Sequence, residues 1–112
     1  MIDTVGHEDA LADTHLQAIE LLRDTSHVRN RSASQWRTLL AQAGLLDIQL
    51  AQWPLRLEFI SWVQRMDAPP ARVAAIRELQ RGAAREVHEA LAFEADGSFR
   101  IQVGCFWARK SA

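Results

Sequence analysis

Glycine is scarce and scattered in this sequence. The chain has five glycines, and the two closest, Gly97 and Gly104, lie seven positions apart. Loops that cradle phosphates or dinucleotides need two or three glycines within about six residues, because backbone N–H groups must approach the ligand closely. A nucleotide-binding loop is therefore excluded. The Gly-x-Ser-x-Gly turn that presents a nucleophilic serine is also absent.

Cysteine, net charge and long apolar runs are equally limited. The single cysteine, Cys105, excludes an intrachain disulfide and a cysteine-built zinc site, and it favours a reducing cytoplasm. Thirteen Lys and Arg against fourteen Asp and Glu leave no overall field that would attract nucleic acid or an anionic membrane. Uncharged runs such as 38–46 and 101–108 are far shorter than the about 18 residues of a membrane-spanning helix. Residues 1–9 have neither the basic nor the apolar region of a signal peptide.

The apolar spacing predicts a helix-rich single domain over residues 1–112. Helices are expected at about 10–24, 32–43, 58–66, 69–80 and 84–91. Ser32 and Gln35 predict a capping box, and Gly44 and Gly82 are placed as helix stops. The first helix is expected to bury a stripe of apolar and aromatic positions: Leu11, His15, Leu16, Ala18, Ile19, Leu21 and Leu22.

Alternating side chains predict the strands. One is expected over 45–53, ended by Pro54, and a hairpin over 92–95 and 98–109 is expected around Asp96-Gly97. The apolar stretch from Gly104 to Ala108 predicts burial on both faces of the last strand. The fold class is therefore α+β, with about five helices packed on a small antiparallel sheet.

The polar loop 24–29 is the best candidate for function, because it carries the imidazole of His27 and the guanidinium of Arg29 between two well-defined helices. Competing signals favour structural roles. Arg29-Asn30-Arg31 near Trp36-Arg37 fits a solvated loop better than a nucleic-acid surface at this net charge. His15 fits a hydrogen-bonded core or interface position. The four histidines show no His-x3-His spacing, so no metal site is predicted.

This loop and its surroundings resemble class I S-adenosylmethionine-dependent methyltransferases, in the branch related to the ubiquinone and menaquinone C-methyltransferases. The matching stretches are MIDTV at 1–5, HED at 7–9, ELLRDTSHVR at 20–29, SQWR at 34–37, AGL at 43–45, Trp62-Val63, Arg65-Met66, Pro69-Pro70 and DGSF at 96–99. The resemblance covers nearly the whole chain, but only the C-terminal part of those enzymes. The glycine-rich loop and the acidic residue that hold the cofactor in the family have no counterpart here.

The resemblance implies a Rossmann-like fold that lacks its cofactor-binding half. Residues 1–5 would be the end of the fifth strand, and the last strand would lie beside it, antiparallel to the strand before. The function implied is that of the substrate-side segment of a small-molecule methyltransferase, inactive alone and binding no S-adenosylmethionine by itself.

Three site residues follow from the resemblance. Asp3 would lie at the carboxyl edge of the sheet, where ligands of such folds bind. His27 is then a candidate base for a substrate proton, and Arg29 a candidate anchor for a negative substrate group.

Half of such a fold would leave a strand edge uncovered. We therefore expect a homodimer or strand-exchanged assembly that closes the sheet through Ser98–Arg109 or through Met1–Val5. The alternative function is a stand-alone, non-enzymatic oligomeric module that binds a small ligand or a protein partner.

Overall fold

The computed structural model describes residues 1–110. The elements in chain order are β1 (Ile2–Val5), α1 (Ala10–Arg23), α2 (Ala33–Gln42), β2 (Leu45–Leu57), α3 (Phe59–Gln64), α4 (Pro70–Arg81), α5 (Arg85–Leu91) and β3 (Phe99–Lys110). The predicted α+β class is confirmed, since five helices accompany one small antiparallel sheet in this part of the chain.

The last strand is the central strand of the sheet. Its order is β1-β3-β2, and β3 pairs antiparallel with both neighbours. The expected insertion of the last strand beside the first is confirmed. The expectation that Ser98–Arg109 would expose an edge is wrong, because β1 and β2 occupy both sides of it. The outer edges of the sheet belong to β1 and β2.

Strand β2 is longer than predicted. It continues through Pro54, which pairs opposite Gln102, and ends at Leu57. Proline was expected to stop the strand because it has no N–H to donate. At an edge this loss is tolerated when the proline nitrogen faces away from the neighbouring strand.

The predicted hairpin is present only as a turn. Residues 92–95 form no strand, because α5 ends at Leu91 and the chain leaves it through Ala92 in the left-handed region, at φ 51°. The Glu94 N–H donates to the Ser98 carbonyl over 2.8 Å. Gly97, at φ 93°, lets the chain reverse and enter β3 directly.

Helix ends follow the predicted signals more closely. Ser32 and Gln35 form a full capping box at the start of α2. Gly44 follows α2 in the left-handed region, at φ 85°. Gly82 ends α4 as predicted, although at φ −84° it does so in a right-handed conformation.

The buried face of α1 is rotated from the predicted stripe. Its buried residues are Ala12, Asp13, Leu16, Ile19 and Glu20. Leu11 and Leu21, which were expected to be buried, are about half exposed. The rotation buries the carboxylates of Asp13 and Glu20. Their burial is tolerated because both pair with groups from the following loop, as described below.

The main core lies at the Phe99 end of the sheet, where β1 and β2 end and β3 begins. Helices α1, α3, α4 and α5 pack there on the start of β3. The buried core residues are Leu16, Ile19, Phe59, Trp62, Val63, Ile76, Val87, Leu91, Phe99 and Ile101. The Trp62 ring meets Phe99 edge-on at 4.9 Å, and the Arg77 guanidinium lies 4.2 Å from the centre of the Phe59 ring.

The opposite end of the sheet is thinner. On one face α2 packs Trp36 against Phe106, near Val5, Leu50 and Gly104. On the other face the side chains of Trp53 and Trp107 are exposed. The predicted burial of residues 104–108 on both faces is therefore wrong, because helices cover that end of β3 on one side only.

Candidate functional site

A line of polar side chains runs along the inner side of α1. Asp13, Gln17 and Glu20 are spaced i, i+4 and i+7, so one helix face presents all three. The Gln17 amide donates to Asp13 Oδ1 over 3.0 Å. Both carboxylates are buried at this face. Such groups are stable inside a protein only when paired or hydrogen-bonded, and the partners come from the loop after α1.

Arg29 supplies the charge partner of Asp13. Its Nη2 lies 2.8 Å from Asp13 Oδ2, and its side chain is 65% exposed although that of Asp13 is only 5% exposed. The backbone N–H of His7 donates to the other oxygen of Asp13 over 3.0 Å. Arg29 therefore holds the loop onto α1 and still presents most of its side chain to solvent.

His27 turns its ring into the protein. Its Nε2 lies 2.8 Å from Gln17 Oε1, and its Nδ1 lies 3.3 Å from Glu20 Oε2. Burial raises the pKa of Glu20, and the positive charge of His27 only partly offsets this effect. Both ring nitrogens thus face oxygen atoms, and the ring is held between Gln17 and Glu20. Asn30 adds a backbone N–H to Gln17 Oε1.

The loop also docks on the end of β1. The Gly6 N–H donates to the Arg31 carbonyl over 2.8 Å, and Gly6 pairs with Ser32 in a parallel bridge. A Cβ at position 6 would lie 2.6 Å from the Asn30 carbonyl oxygen, so only glycine permits this approach. The loop that carries His27 and Arg29 is therefore fixed at the carboxyl end of β1.

Asp3 lies apart from this loop. Its carboxylate accepts the backbone N–H of the next residue, Thr4, over 2.8 Å. Among residues 1–110 it forms no hydrogen bond with the 24–31 loop. The structure thus brings two of the three predicted site residues, His27 and Arg29, together on α1 and leaves Asp3 on the strand. Their roles in substrate binding or catalysis remain predictions.

An open groove of about 570 Å³ lies between this loop and α2. Its lining residues are Val28, Arg29, Arg31, Ser34, Gln35, Thr38 and Leu39. Val28 is 79% exposed although both its neighbours are fixed by hydrogen bonds. The clamped loop therefore presents an apolar side chain and a guanidinium to a space large enough for a small ligand.

A smaller cavity of about 240 Å³ lies beside the 94–97 turn. Arg77 and Gln80 line it and donate to the carbonyls of Asp96 and Gly97 over 3.1 and 3.0 Å. These bonds hold the turn against α4, which gives the two polar side chains a structural role.

Two kinds of feature are absent among residues 1–110. No group of three His, Cys, Asp or Glu side chains could hold a metal ion there. No helix in that part has the length and apolar character needed to cross a membrane.

Sequence reasoning missed Asp13, Gln17 and Glu20. The signal was available, because three polar residues at i, i+4 and i+7 mark one helix face as clearly as apolar residues do. They were not identified because polar helix positions usually face solvent.

Sequence comparison finds proteins to which this chain is similar. No known family profile matches the chain. The uncharacterized protein YafE of Escherichia coli (strain K12) is 41% identical over 112 residues, which is all of this chain and 54% of YafE. The uncharacterized methyltransferase YcgJ of Bacillus subtilis (strain 168) is 31% identical over 72 residues, which is 64% of this chain and 28% of YcgJ.

Two crystal structures share the fold. BH2331 of Bacillus halodurans C-125, which has been assigned as a methyltransferase, superimposes with a TM-score of 0.91 at 23% identity, covering 99% of this chain and 54% of BH2331. The structure of YcgJ gives 0.84 at 25% identity, covering 99% of this chain and 50% of YcgJ. The chain thus spans about half the length of YafE and of both solved chains, and it has a methyltransferase-like α+β fold.

Proposed function

We propose that this chain is the substrate-side part of a small-molecule, S-adenosylmethionine-dependent methyltransferase, and that it needs a separate donor-binding part for activity. The main support is the superposition of 99% of the chain on about half of BH2331. The finer assignment to the branch of the ubiquinone and menaquinone C-methyltransferases rests on the motifs at 20–29, 34–37 and 96–99 and belongs to the same proposal.

The described residues do not suit the methyl donor. The junction between β1 and α1 has one glycine, Gly6, and its close approach is to Asn30 and Asp13 inside the protein. No cluster of glycines opens a helix, as a cofactor-binding loop requires. This supports the proposal that the donor is held by residues outside this chain.

The groove between the loop and α2 is the proposed acceptor site. Arg29 supports this, because its guanidinium donors exceed the bonds it makes to Asp13 and its side chain lines the groove. A negative group of the acceptor would bind there, beside the apolar surface of Val28 and Leu39. The inward ring of His27 supports a positioning role better than the predicted role as base, since proton transfer would require the ring to leave Gln17 or Glu20.

Calorimetric titration with S-adenosylmethionine tests whether the donor is bound by a part of the enzyme separate from this chain. The purified chain should show no micromolar binding. Full-length YafE is expected to bind the donor, and a chimera in which this chain replaces the matching 112 residues of YafE should bind it equally well. Micromolar binding or methyl transfer by the chain alone would overturn the proposal, and so would a folded chimera that fails where YafE binds.

A stand-alone oligomeric module is the second candidate, and one observation favours it: one face of the sheet exposes apolar side chains, including Trp53 and Trp107. The DNA before the Met1 codon distinguishes the two functions. An open reading frame that continues upstream into a strand and a Gly-x-Gly loop supports the methyltransferase, whereas a stop codon and a ribosome-binding site support the module.

A further inference from the structure

The loop after α1 is attached to the rest of the chain at three main places, and one of them can gain or lose a proton near neutral pH. The Arg29–Asp13 ion pair and the backbone hydrogen bond from Gly6 are the other two. A guanidinium keeps its charge in this range, and a backbone amide keeps its hydrogen. The third place is His27, whose side chain is 12% exposed and lies against the 9% exposed side chain of Glu20. His27 and Glu20 thus form the part of the attachment that can titrate.

The orientation of the Gln17 amide is set by two other neighbours. Its Nε2 donates to Asp13 Oδ1 over 3.0 Å, and its Oε1 accepts the Asn30 backbone N–H over 3.2 Å. If the amide were reversed, its NH2 group would face that N–H and its oxygen would face the carboxylate, so both hydrogen bonds would be lost. Gln17 Oε1 therefore faces His27 as an acceptor. The His27 nitrogen that lies 2.8 Å from it, Nε2, must carry a hydrogen.

The second ring nitrogen of His27 needs a proton between it and Glu20. With its hydrogen on Nε2, a neutral ring turns the lone pair of Nδ1 toward Glu20 Oε2, which lies 3.3 Å away. This lone pair and an ionised carboxylate repel each other, and little water is available to screen two nearly buried groups. One proton makes the contact favourable, either on Nδ1, as an imidazolium beside a carboxylate, or on Glu20, as a carboxylic acid beside a neutral ring. The pair therefore favours one proton more than a neutral histidine and an ionised glutamate hold.

The surroundings of Glu20 favour the same state. Burial has the largest effect and raises the pKa of Glu20, the positive charges of His27 and Arg23 lower it, and the negative charge of Asp24 raises it. Arg23 is held by α3, where its Nη1 donates to the Trp62 carbonyl over 3.3 Å. Helices α4 and α5 also pack on α1, but the strongest charges acting on Glu20 come from α1 and the loop that follows it. Burial thus adds to the geometric requirement for the additional proton.

We propose that His27 and Glu20 form a proton-dependent clamp, which fixes the His27 end of the loop on α1 while one proton is bound between them. As pH rises, this proton dissociates to solvent and the His27 end of the loop is released. The His27 N–H donates to the Asp24 carbonyl over 2.9 Å, and Asp24 Oδ1 accepts the Ser26 N–H over 3.0 Å. These local bonds allow residues 24–27 to move as one turn.

The release is confined to one end of the loop. The Arg29–Asp13 ion pair and the Gly6 hydrogen bond do not lose a proton in this range, so they keep the other end attached. Val28 lies between the two ends and lines the groove beside α2. The clamp therefore makes the apolar wall of the groove dependent on pH. It is a property of the loop itself, and it does not rest on the proposed methyltransferase function.

Backbone 15N relaxation of the unmodified chain at about pH 5 and about pH 8 tests the clamp. The order parameters of residues 26–28 should fall from about 0.85, typical of a rigid backbone, to below about 0.6 at the higher pH. Those of Gly6 and Ser32 should stay at the rigid value, because these residues lie at the attached end. Equal order parameters of residues 26–28 at both pH values would overturn the proposal, and so would an equal fall at Gly6 and Ser32.

A variant pair and the His27 ring identify the groups involved. Glu20→Gln supplies an amide N–H to Nδ1 without a titrating proton, so residues 26–28 should stay rigid at about pH 8. Asp24→Asn is the matched control, because it removes a neighbouring carboxylate but keeps an oxygen for Ser26, and it should still show the release. Ring 15N shifts of the unmodified chain should show a hydrogen on Nε2 at both pH values. Release that persists in Glu20→Gln, or a neutral ring with its hydrogen on Nδ1, would refute the clamp.

Discussion

The two ends of β3 are built differently. At the Phe99 end, four helices pack on the strand and the side chains interlock, so Phe99 and Phe59 are completely buried. At the Trp107 end, α2 covers one face through Trp36 and the other face is open. Strand β3 is therefore covered by helices on its buried face at the Phe99 end and on one face only at the Trp107 end. Stability should therefore depend mainly on the first end.

The largest expected difference is between two aromatic truncations. Phe59→Ala removes a ring that contacts Trp62, Arg77 and the region of Phe99, and it should cost about 3–5 kcal/mol of unfolding free energy. Trp107→Ala should cost less than about 1 kcal/mol, because its side chain is half exposed. Urea unfolding of both variants checks the contrast, and equal losses would refute it.

The turn before β3 gives the next effect. Gly97→Ala places a Cβ 2.9 Å from Gln80 Oε1 and 3.0 Å from the Phe59 ring, at φ 93°, and should cost about 1–3 kcal/mol. Gly82→Ala is the control, because Gly82 has φ −84° and its nearest atom lies at 3.4 Å. The control should be neutral or stabilising by up to about 1 kcal/mol in thermal unfolding. Similar losses in both variants would contradict this account.

A smaller effect is expected at the start of α2. This helix buries none of its own residues, so it depends on its capping box more than a core helix would. Ser32→Ala should cost about 1 kcal/mol. Amide hydrogen exchange should quicken in α2 while α4 keeps its protection. Uniform acceleration in both helices would show that the cap acts on global stability instead.

The smallest effect is a pH dependence at the loop site. Burial raises the pKa of Glu20 above 4.5, so its contribution to stability is complete below pH 4.5 and is lost as pH rises through the raised pKa. Glu20→Gln should remove this decline from urea midpoints measured between pH 4 and 7.

Glu94 is the control of opposite sign. Its hydrogen bond from Arg56 lowers its pKa below 4.5, so its contribution is present above pH 4.5 and is lost as pH falls through the lowered pKa. Glu94→Gln should therefore leave the decline between pH 4 and 7 intact. If it removed the decline as Glu20→Gln does, Glu20 would not be the source.

Local signals predicted the helices well, because a cap or a stop is written in neighbouring residues. Ser32 with Gln35 and the proline pair at 69–70 placed α2 and α4 to within one or two positions. Where a residue's environment depends on distant partners, the prediction from sequence was wrong. Pro54 lies on an edge, so it did not end β2. Among the apolar residues at 104–108, Cys105 and Trp107 face a side that no helix covers, whereas Phe106 packs on α2.

The candidate site shows the same division. The polar loop indicated His27 and Arg29 by composition alone, and the structure ties both to α1. It did not indicate which way the side chains point, because that depends on Asp13, Gln17 and Glu20 on the preceding helix. Asp3 was placed by resemblance, and its local bond to Thr4 could not be foreseen from the pattern.

Pro54 has a consequence for how this sheet can propagate. It lies on the outer edge of the sheet near the end of β2, where it provides no N–H to the strand of an incoming chain. Across the sheet, the Asp3 carboxylate occupies the Thr4 donor on the other margin. Strand addition is thus obstructed at both edges of the sheet. A protein with an exposed apolar sheet face is thereby protected from edge-to-edge growth into a fibril.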